Sequence, residues 1–352
     1  MESFAPDKVR RFEKILASAY DIAVVTHMKP DGDAVGSSTA MYHFLKNSGK
    51  SVRIVYPDPW PANLDFLISE DTAADVYDYR KDPEGSAAAI AASDLIICLD
   101  FNAFHRTDGL EGLLEGASCD KILIDHHLFP ESEKFSLIFS ETEVSSTCEL
   151  LYTILMHTEQ IGHNASRLPL EAATSLMTGM TTDTNNFGNS VFPGTLHMAS
   201  DLLKAGVDRG MILENLYNRF SEDRLRLMGH IMKDLLTITA DGVAYIVLDA
   251  DTLRRYNTQE GDTEGFVNMP LSIETVKMSL LLKEDGEKVR VSIRSKKGIS
   301  ANRCARLHFN GGGHENAAGG RLHMGKEISC MAEVSDYIER HTHIFMTEKD
   351  EE

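Results

Sequence analysis

The feature that most constrains this chain is a set of short Val/Ile/Leu runs, several closing on an acid or a histidine. DIAVVTH (from Asp21), SVRIVY, SDLIICLD and KILIDHH contain no regular alternation of apolar and polar residues. A strand wetted on one face alternates. One that does not is buried on both faces, as in a parallel sheet covered by helices. The intervening residues fit that pattern: DAVGSSTAMYHFLKNSG has helical spacing and closes at Gly49. Further helices are expected over 145–157, 169–182 and 194–205. A chain of 352 residues exceeds one ordinary core. The expectation is an α/β domain with a parallel sheet over 1–208, a helical connector over 209–236 and a smaller α+β domain over 237–345. The active site is expected in the cleft between the domains.

In the second half, GVAYIVLD, ETVKMSLLLKEDG and EKVRVSIRS read as strands, the last two joined through Glu284-Asp285-Gly286 as a hairpin. ISANRCARL and EISCMAEVSDYIERH read as helices, and the tail EKDEE as disordered. No apolar run approaches the ~18 residues of a membrane span. The first residues, MESFAPDKVRRFEKIL, lack an apolar signal core, so a cytoplasmic location is expected. Five cysteines without a CxxC pair argue against a disulfide frame or a thiolate zinc site. The net charge of −19, from 54 acids against 35 bases, does not suit a protein that grips long nucleic acid. A nucleotide substrate should be short and held in a local basic pocket.

Three of the expected strands end in metal-ligand chemistry. The first runs into His27-Met-Lys-Pro-Asp31-Gly-Asp33, another ends at Asp100, and a third at Asp125-His126-His127. Open α/β sheets bind ligands at the carboxyl ends of their strands, so groups distant in sequence can converge there. Singly, an Asp in such a place is usually a helix N-cap, and Asp33 stands where one would stand. Together, two imidazoles and a carboxylate behind KILI are costly to bury without a cation. Asp183 in TGMTTDTNNFGN, following a helix and opening an Asn-rich loop, is a further candidate. Imidazole and carboxylate donors suit Mn²⁺, Mg²⁺, Co²⁺ or Zn²⁺. His27, Asp31, Asp33, Asp100, His126 and Asp183 are more ligands than one ion needs. Two ions sharing a carboxylate would use them, and phosphate-ester hydrolysis is the matching reaction.

The second half contains RVSIRSKKGISANRCARLHFNGGGHENAAGG, the most basic stretch of the chain, with Arg290, Arg294, Lys296, Lys297, Arg303 and Arg306. Gly311, Gly312 and Gly313 suggest backbone that approaches a ligand closely. Arg294, Ser295 and His314 are candidates for a substrate clamp. The bland alternative is a solvated basic face beside a glycine turn. GxxxxGK[ST] is absent, so nucleoside-triphosphate hydrolysis has no support.

The ordered set HMKPDGDAVGS, LDFN, IDHH, TTDTNNF and GGGHENAAGG resembles the DHH phosphoesterases with a C-terminal DHH-associated domain. The resemblance covers nearly the whole chain, and its architecture is similar to stand-alone members acting as oligoribonucleases (nanoRNases) and 3′-phosphoadenosine 5′-phosphate (pAp) phosphatases. It implies one metal on His27, Asp31 and Asp100, and another on Asp33, Asp100, His126 and Asp183, with Asp100 bridging. It also implies that Asp125 orients an imidazole, that His127 faces the reacting phosphate, and that Arg106 contacts a phosphate. Arg294, His314 and the glycine backbone would bind the far end of the substrate. Two Mn²⁺ ions are the implied cofactors, with Mg²⁺ or Co²⁺ as substitutes, and a homodimer is an expected possibility. LDFN carries Phe101-Asn102 where many relatives have a small polar residue.

The expected substrates are short oligonucleotides, pApA among them, or pAp. A cyclic-dinucleotide phosphodiesterase of the membrane-bound type would need N-terminal spans. A manganese pyrophosphatase would lack GGGH, and a long-strand exonuclease would be larger and more basic. A non-catalytic nucleotide binder would not need His127 or two metals.

Overall fold

The computed structural model describes residues 6–259 and 261–347, without the side chains of Pro6 and His314, as two units divided between Arg219 and Phe220. The expected disordered tail EKDEE lies outside the described residues.

The first unit is built on six parallel strands: β1 (Asp21–Val25), β2 (Ser51–Tyr56), β3 (Val76–Asp78), β4 (Leu95–Leu99), β5 (Asp120–Asp125) and β6 (Leu137–Ser140). Their order is β3-β2-β1-β4-β5-β6. Alternate residues of one strand enter different cores. Ile22, Val24, Ile97 and Ile124 join Met41, Leu45, Leu151 and Leu176 on one face. On the other face Ala23, Val25, Ile96, Cys98 and Leu123 pack with Phe101 and Phe104. That division is why the runs do not alternate. Phe101 of LDFN is thus a core residue, and Asn102 donates from Nδ2 to the Leu128 carbonyl at 2.7 Å.

Strand order reverses between β1 and β4, which makes a crevice at their carboxyl ends. Register then sets what stands there. Val25 pairs with Cys98, so His27 and Asp100 each lie two residues beyond a matched pair. Leu99 pairs with Ile124, so Asp100 is level with Asp125 and one step short of His126.

Helices Gly32–Asn47 and Leu170–Asp183 cross with almost no side chain between them. A Cβ on Gly36 would stand 2.7 Å from the Ser175 carbonyl oxygen, and one on Gly179 would stand 2.3 Å from Cys148 Sγ. Helices Thr147–Met156 and Pro193–Lys204 also match the expected segments within two residues.

The segment 209–236 is not one connector. Helix Arg209–Tyr217 buries Ile212 and Leu216 in the first unit's core. Helix Glu222–His230 and the π turn Ile231–Leu235 bury Leu227 and Ile231 with Ile246, Leu248 and Phe266 of the second unit. Each half follows the apolar surface it covers.

The second unit is α+β. Its strands are β7 (Thr237–Ile238), β8 (Val243–Leu248), β9 (Met278–Asp285), β10 (Lys288–Ser295), β11 (Gly312–His314) and β12 (Ala317–His323), ordered β11-β12-β10-β9-β8-β7. β8 and β9 are parallel and the other pairs antiparallel. Helices Ala301–His308 and Val334–Thr347 supply Cys304, Ala305, Val334 and Ile338 to its core. The last helix starts later than expected. Glu327 accepts a bond from the His323 amide and Ile328 from the Gly325 amide, so that stretch is a turn. Among the described residues, no helix is long and apolar enough to cross a membrane.

Candidate active site

The loop after β1 is fixed before any ligand arrives. Asp31, not Asp33, is the N-cap of helix Gly32–Asn47: its Oδ1 accepts from the amides of Asp33 (3.0 Å) and Ala34 (3.1 Å). Asp33 therefore sits inside the first turn, and its carboxylate is free to point elsewhere. Its Oδ2 accepts from the Thr147 amide at 2.6 Å and its Oδ1 from the Cys148 amide at 2.9 Å. These amides belong to the N-terminus of helix Thr147–Met156, where unpaired N–H groups and the helix dipole favour an anion. Thr147 Oγ1 also donates to Asp100 Oδ1 at 2.9 Å. The sequence reading did not assign Thr147 and Cys148 to the site. The Ser146-Glu149 spacing is a helix-start signal, and Ser146 Oγ accepts from the Glu149 amide at 3.0 Å. Nothing in that signal says which carboxylates the exposed amides meet.

Asp100 lies between the two histidines that approach it. Its Oδ2 is 3.3 Å from His27 Nε2, and its Oδ1 is 3.6 Å from His126 Nε2. Asp31 Oδ1 is 3.8 Å from His27 Nε2; Asp183 Oδ2 is 3.6 Å and Asp33 Oδ2 4.0 Å from His126 Nε2. Three groups result, His27-Asp31-Asp100, Asp33-His126-Asp183 and Asp100-His126-His127, each with its ligand atoms within 4.8 Å of one another. Ligands ~2.0–2.1 Å from one ion stand roughly 3–4 Å apart, so the spacing fits. Asp100 itself has φ +65°, an unusual backbone for a non-glycine residue and a strain that clusters at functional sites. Asp183 is the last residue of its helix rather than the first of a loop.

The tautomers follow from geometry. His27 Nδ1 is 2.8 Å from the Met28 carbonyl oxygen, which can only accept, so Nε2 keeps its lone pair toward the carboxylates. His127 Nδ1 is 2.7 Å from Asp125 Oδ1. Asp125 thus orients His127 specifically. Coordination through that Nδ1 would break the bond, which sets His127 apart from the six ligand candidates.

Asp33 and Asp100 are buried, and the structure shows no Lys or Arg ion pair to Asp31, Asp33, Asp100 or Asp183 among the described residues. Burial, then the neighbouring carboxylates, holds Asp33 and Asp100 well above the usual carboxylate range. Burial, then Asp33 and Asp31, pushes Asp183 up to about 8. Burial, then His127, brings His126 down to about 4. Crowded carboxylates without an ion-paired lysine or arginine, facing the lowered imidazole of His126, are a donor set that fits divalent cations.

The ligand loop is braced from outside. Asp58 Oδ2 accepts from the Lys29 amide at 2.8 Å, Arg80 Nε donates to Asp58 Oδ1 at 2.7 Å, and Arg80 Nη2 donates to Asp108 Oδ2 at 2.7 Å. The Met28 amide donates to the carbonyl of Arg106 at 2.7 Å, and the Arg106 charge acts on His126.

In the second unit, Arg294 on β10 donates from Nη1 to the Ile293 carbonyl at 2.9 Å. It is half-buried, and burial lowers its pKa with no carboxylate partner among the described residues. Ser295 is buried; its hydroxyl donates to the Ile299 carbonyl at 2.6 Å and accepts from Asn316 Nδ2 at 3.1 Å. It therefore holds the loop together instead of offering a hydroxyl to substrate.

The glycine segment is a hairpin edge. A Cβ on Gly311 would meet the Gly319 carbonyl oxygen at 1.9 Å, which is a packing reason for that glycine. Gly312 has nothing nearer than Asn302 Oδ1 at 3.5 Å, so packing does not explain its lack of a side chain. Gly313 has φ +152° and pairs with Ala318. The backbone of His314 pairs with Ala317, while its side chain lies outside the described residues.

A doubly wound sheet with this cluster at its switch point is the frame of a metal-dependent phosphoesterase. Residues 21–180 match the DHH family, N-terminal domain, and residues 241–340 match the DHHA1 domain. The chain is 31% identical over 327 residues to a bifunctional oligoribonuclease and PAP phosphatase of Thermus thermophilus, spanning 90% of this chain and 89% of that protein. A crystal structure of an exopolyphosphatase-related protein from Bacteroides fragilis is similar with a TM-score of 0.89 and 36% identity, over 98% of each chain. An exonuclease RecJ bound to manganese shares the fold, with a TM-score of 0.58 at 16% identity over 99% of this chain and 97% of that one. This chain belongs to the DHH family.

Proposed function

We propose that this protein hydrolyses short oligonucleotides, pApA among them, to nucleoside 5′-monophosphates and converts pAp to AMP, using two Mn²⁺ ions that Mg²⁺ or Co²⁺ can replace. The observation that carries the proposal is the likeness to an oligoribonuclease and PAP phosphatase along both units. It is joined to a site whose six ligand candidates converge. His27, Asp31 and Asp100 would hold one ion, and Asp33, Asp100, His126 and Asp183 the other. Bound there, the pair supplies a nucleophile at neutral pH and neutralises charge on the phosphoryl group.

The protein's own groups do the rest. Asp125 holds His127 with Nδ1 protonated, so a protonated Nε2 can give its proton to the leaving oxygen. Thr147 and the amides of residues 147 and 148 keep Asp33 and Asp100 oriented. Arg106 contacts a phosphate oxygen. Arg294, which has no carboxylate partner among the described residues, would grip the end of the substrate away from the cut, together with the Gly312 backbone and His314.

A Mn²⁺ substrate panel tests the proposal: pAp, pApA, RNA and DNA of two to five nucleotides, longer RNA, pyrophosphate and polyphosphate. Turnover of pAp and of the shortest oligonucleotides, falling with length, is expected. Turnover confined to pyrophosphate or polyphosphate would overturn the substrate assignment.

A further inference from the structure

Helix Glu222–His230 does not end normally. It runs into a π turn, Ile231–Leu235, in which the Leu236 amide bonds to the Ile231 carbonyl at 2.9 Å. Such turns are rare and recur at functional sites, because the extra residue re-aims the side chains around it. Here the turn lines an open, shallow depression formed by Arg226, His230, Lys233, Asp234, Arg255 and Tyr256.

The lining is built to hold positive charge in place. The His230 ring stacks on Tyr256 with centroids 5.4 Å apart and planes at 25°. Asp234 Oδ2 lies 2.8 Å from His230 Nδ1 and fixes that ring. The Arg255 guanidinium lies 5.6 Å from the centroid of the same Tyr256 ring. Arg226 shares its charge with Glu222 at 2.6 Å, whereas Lys233 and Arg255 have no carboxylate partner among the described residues. Lys233 and Arg255 thus stand beside one lining carboxylate, Asp234, which is engaged by His230, in a chain whose net charge is −19. Unpaired cations gathered in a concave site on an acidic protein call for an anion with several acceptor oxygens. Tyr256 already carries His230 and Arg255 on its ring, which leaves phosphate, not a nucleobase, as the recognised group.

We propose that this depression in the second unit is an accessory phosphate-binding site that takes a phosphate group, free or carried by a nucleotide. Lys233 and Arg255 are its principal donors. The inference goes beyond the hydrolytic reading and does not depend on turnover.

The test is a site-resolved titration of the full chain in EDTA, so that no probe is hydrolysed during the measurement. The His230 ring signal, assigned by its loss in His230→Gln, is followed by NMR as inorganic phosphate, AMP or pApA is added, with NaCl at matched ionic strength as control. A saturable shift with the phosphate probes and none with NaCl is expected. Tighter binding of AMP or pApA identifies the nucleotide as the source, and equal binding of inorganic phosphate identifies free phosphate. Lys233→Gln/Arg255→Gln should weaken the affinity by about tenfold or more. Tyr256→Leu, which removes the brace on Arg255, should weaken it less. No saturable shift, or an unchanged affinity in the double variant at an unchanged melting temperature, overturns the proposal. Hydrolysis of pAp by wild type, measured in parallel, separates failure here from failure of the proposed reaction.

Discussion

At the scale of single residues, the site without metal is under electrostatic stress, and its sign can be worked out. Asp183 loses its proton near 3.8 when unfolded and near about 8 in the metal-free fold. Between these values the folded chain holds the extra proton, so stability falls as pH rises. His126 runs the other way: its ordinary value is 6.5 and its folded value about 4, so between them stability rises with pH. Asp33 and Asp100 are raised like Asp183 and outweigh that opposition. The metal-free protein should lose stability across the window, most steeply between pH 6.5 and 8, where His126 no longer counteracts. Cations that keep the carboxylates ionised should abolish the loss. Thermal melts at pH 5.5 and 8, with EDTA or with Mn²⁺, check this: the gap between the two curves should widen with pH, and a constant gap contradicts it. Asp125→Asn tests orientation separately. It should lower kcat by about 10–100-fold while leaving the bound metal unchanged, since the side chain of Asp125 hydrogen-bonds to His127.

At the scale of elements, the candidate ligands are held by helix ends and close helix contacts, and here the sequence was only partly legible. Strands β1, β2, β4 and β5 were readable because each is buried on both faces. β3 has three residues, and β6 alternates buried and half-buried residues at the sheet edge, so neither stood out. GGGH and AAGG looked like loop because glycines say nothing of pairing; their strands form because backbone packs on backbone where no Cβ fits. His27, Asp31, Asp100, His126 and His127 were legible because they follow strand ends. Thr147, Cys148, Asp58 and Arg80 were not, since their roles depend on which chain segments pack together.

Gly179 shows what that packing does. A methyl group there would crowd Cys148 Sγ and lie 3.0 Å from Asp33 Oδ1. Gly179→Ala should destabilise the fold by about 1–3 kcal/mol and weaken metal binding through Asp33, measured by denaturant unfolding and metal titration. Arg80→Gln removes the link between Asp58 and Asp108 and should weaken metal affinity with little loss of fold stability. Unchanged affinity would show that the loop needs no such brace.

At the scale of the whole molecule, the proposed function divides chemistry and recognition between two kinds of residue: an acidic cluster that calls for cations, and a guanidinium, Arg294, with no carboxylate partner among the described residues. Arg294→Gln should raise KM for pAp and short oligonucleotides with bound metal unchanged; a fall in kcat alone would place Arg294 in the chemical step instead. The central claim is that Asp100 joins two metal ions, because its two oxygens face the two histidines separately. Manganese content after equilibrium dialysis of wild type and Asp100→Asn tests it most directly. Two ions per wild-type chain and weakened binding of both in Asp100→Asn is the predicted result; a variant that keeps one ion at full affinity, or a wild type that saturates with one, contradicts it.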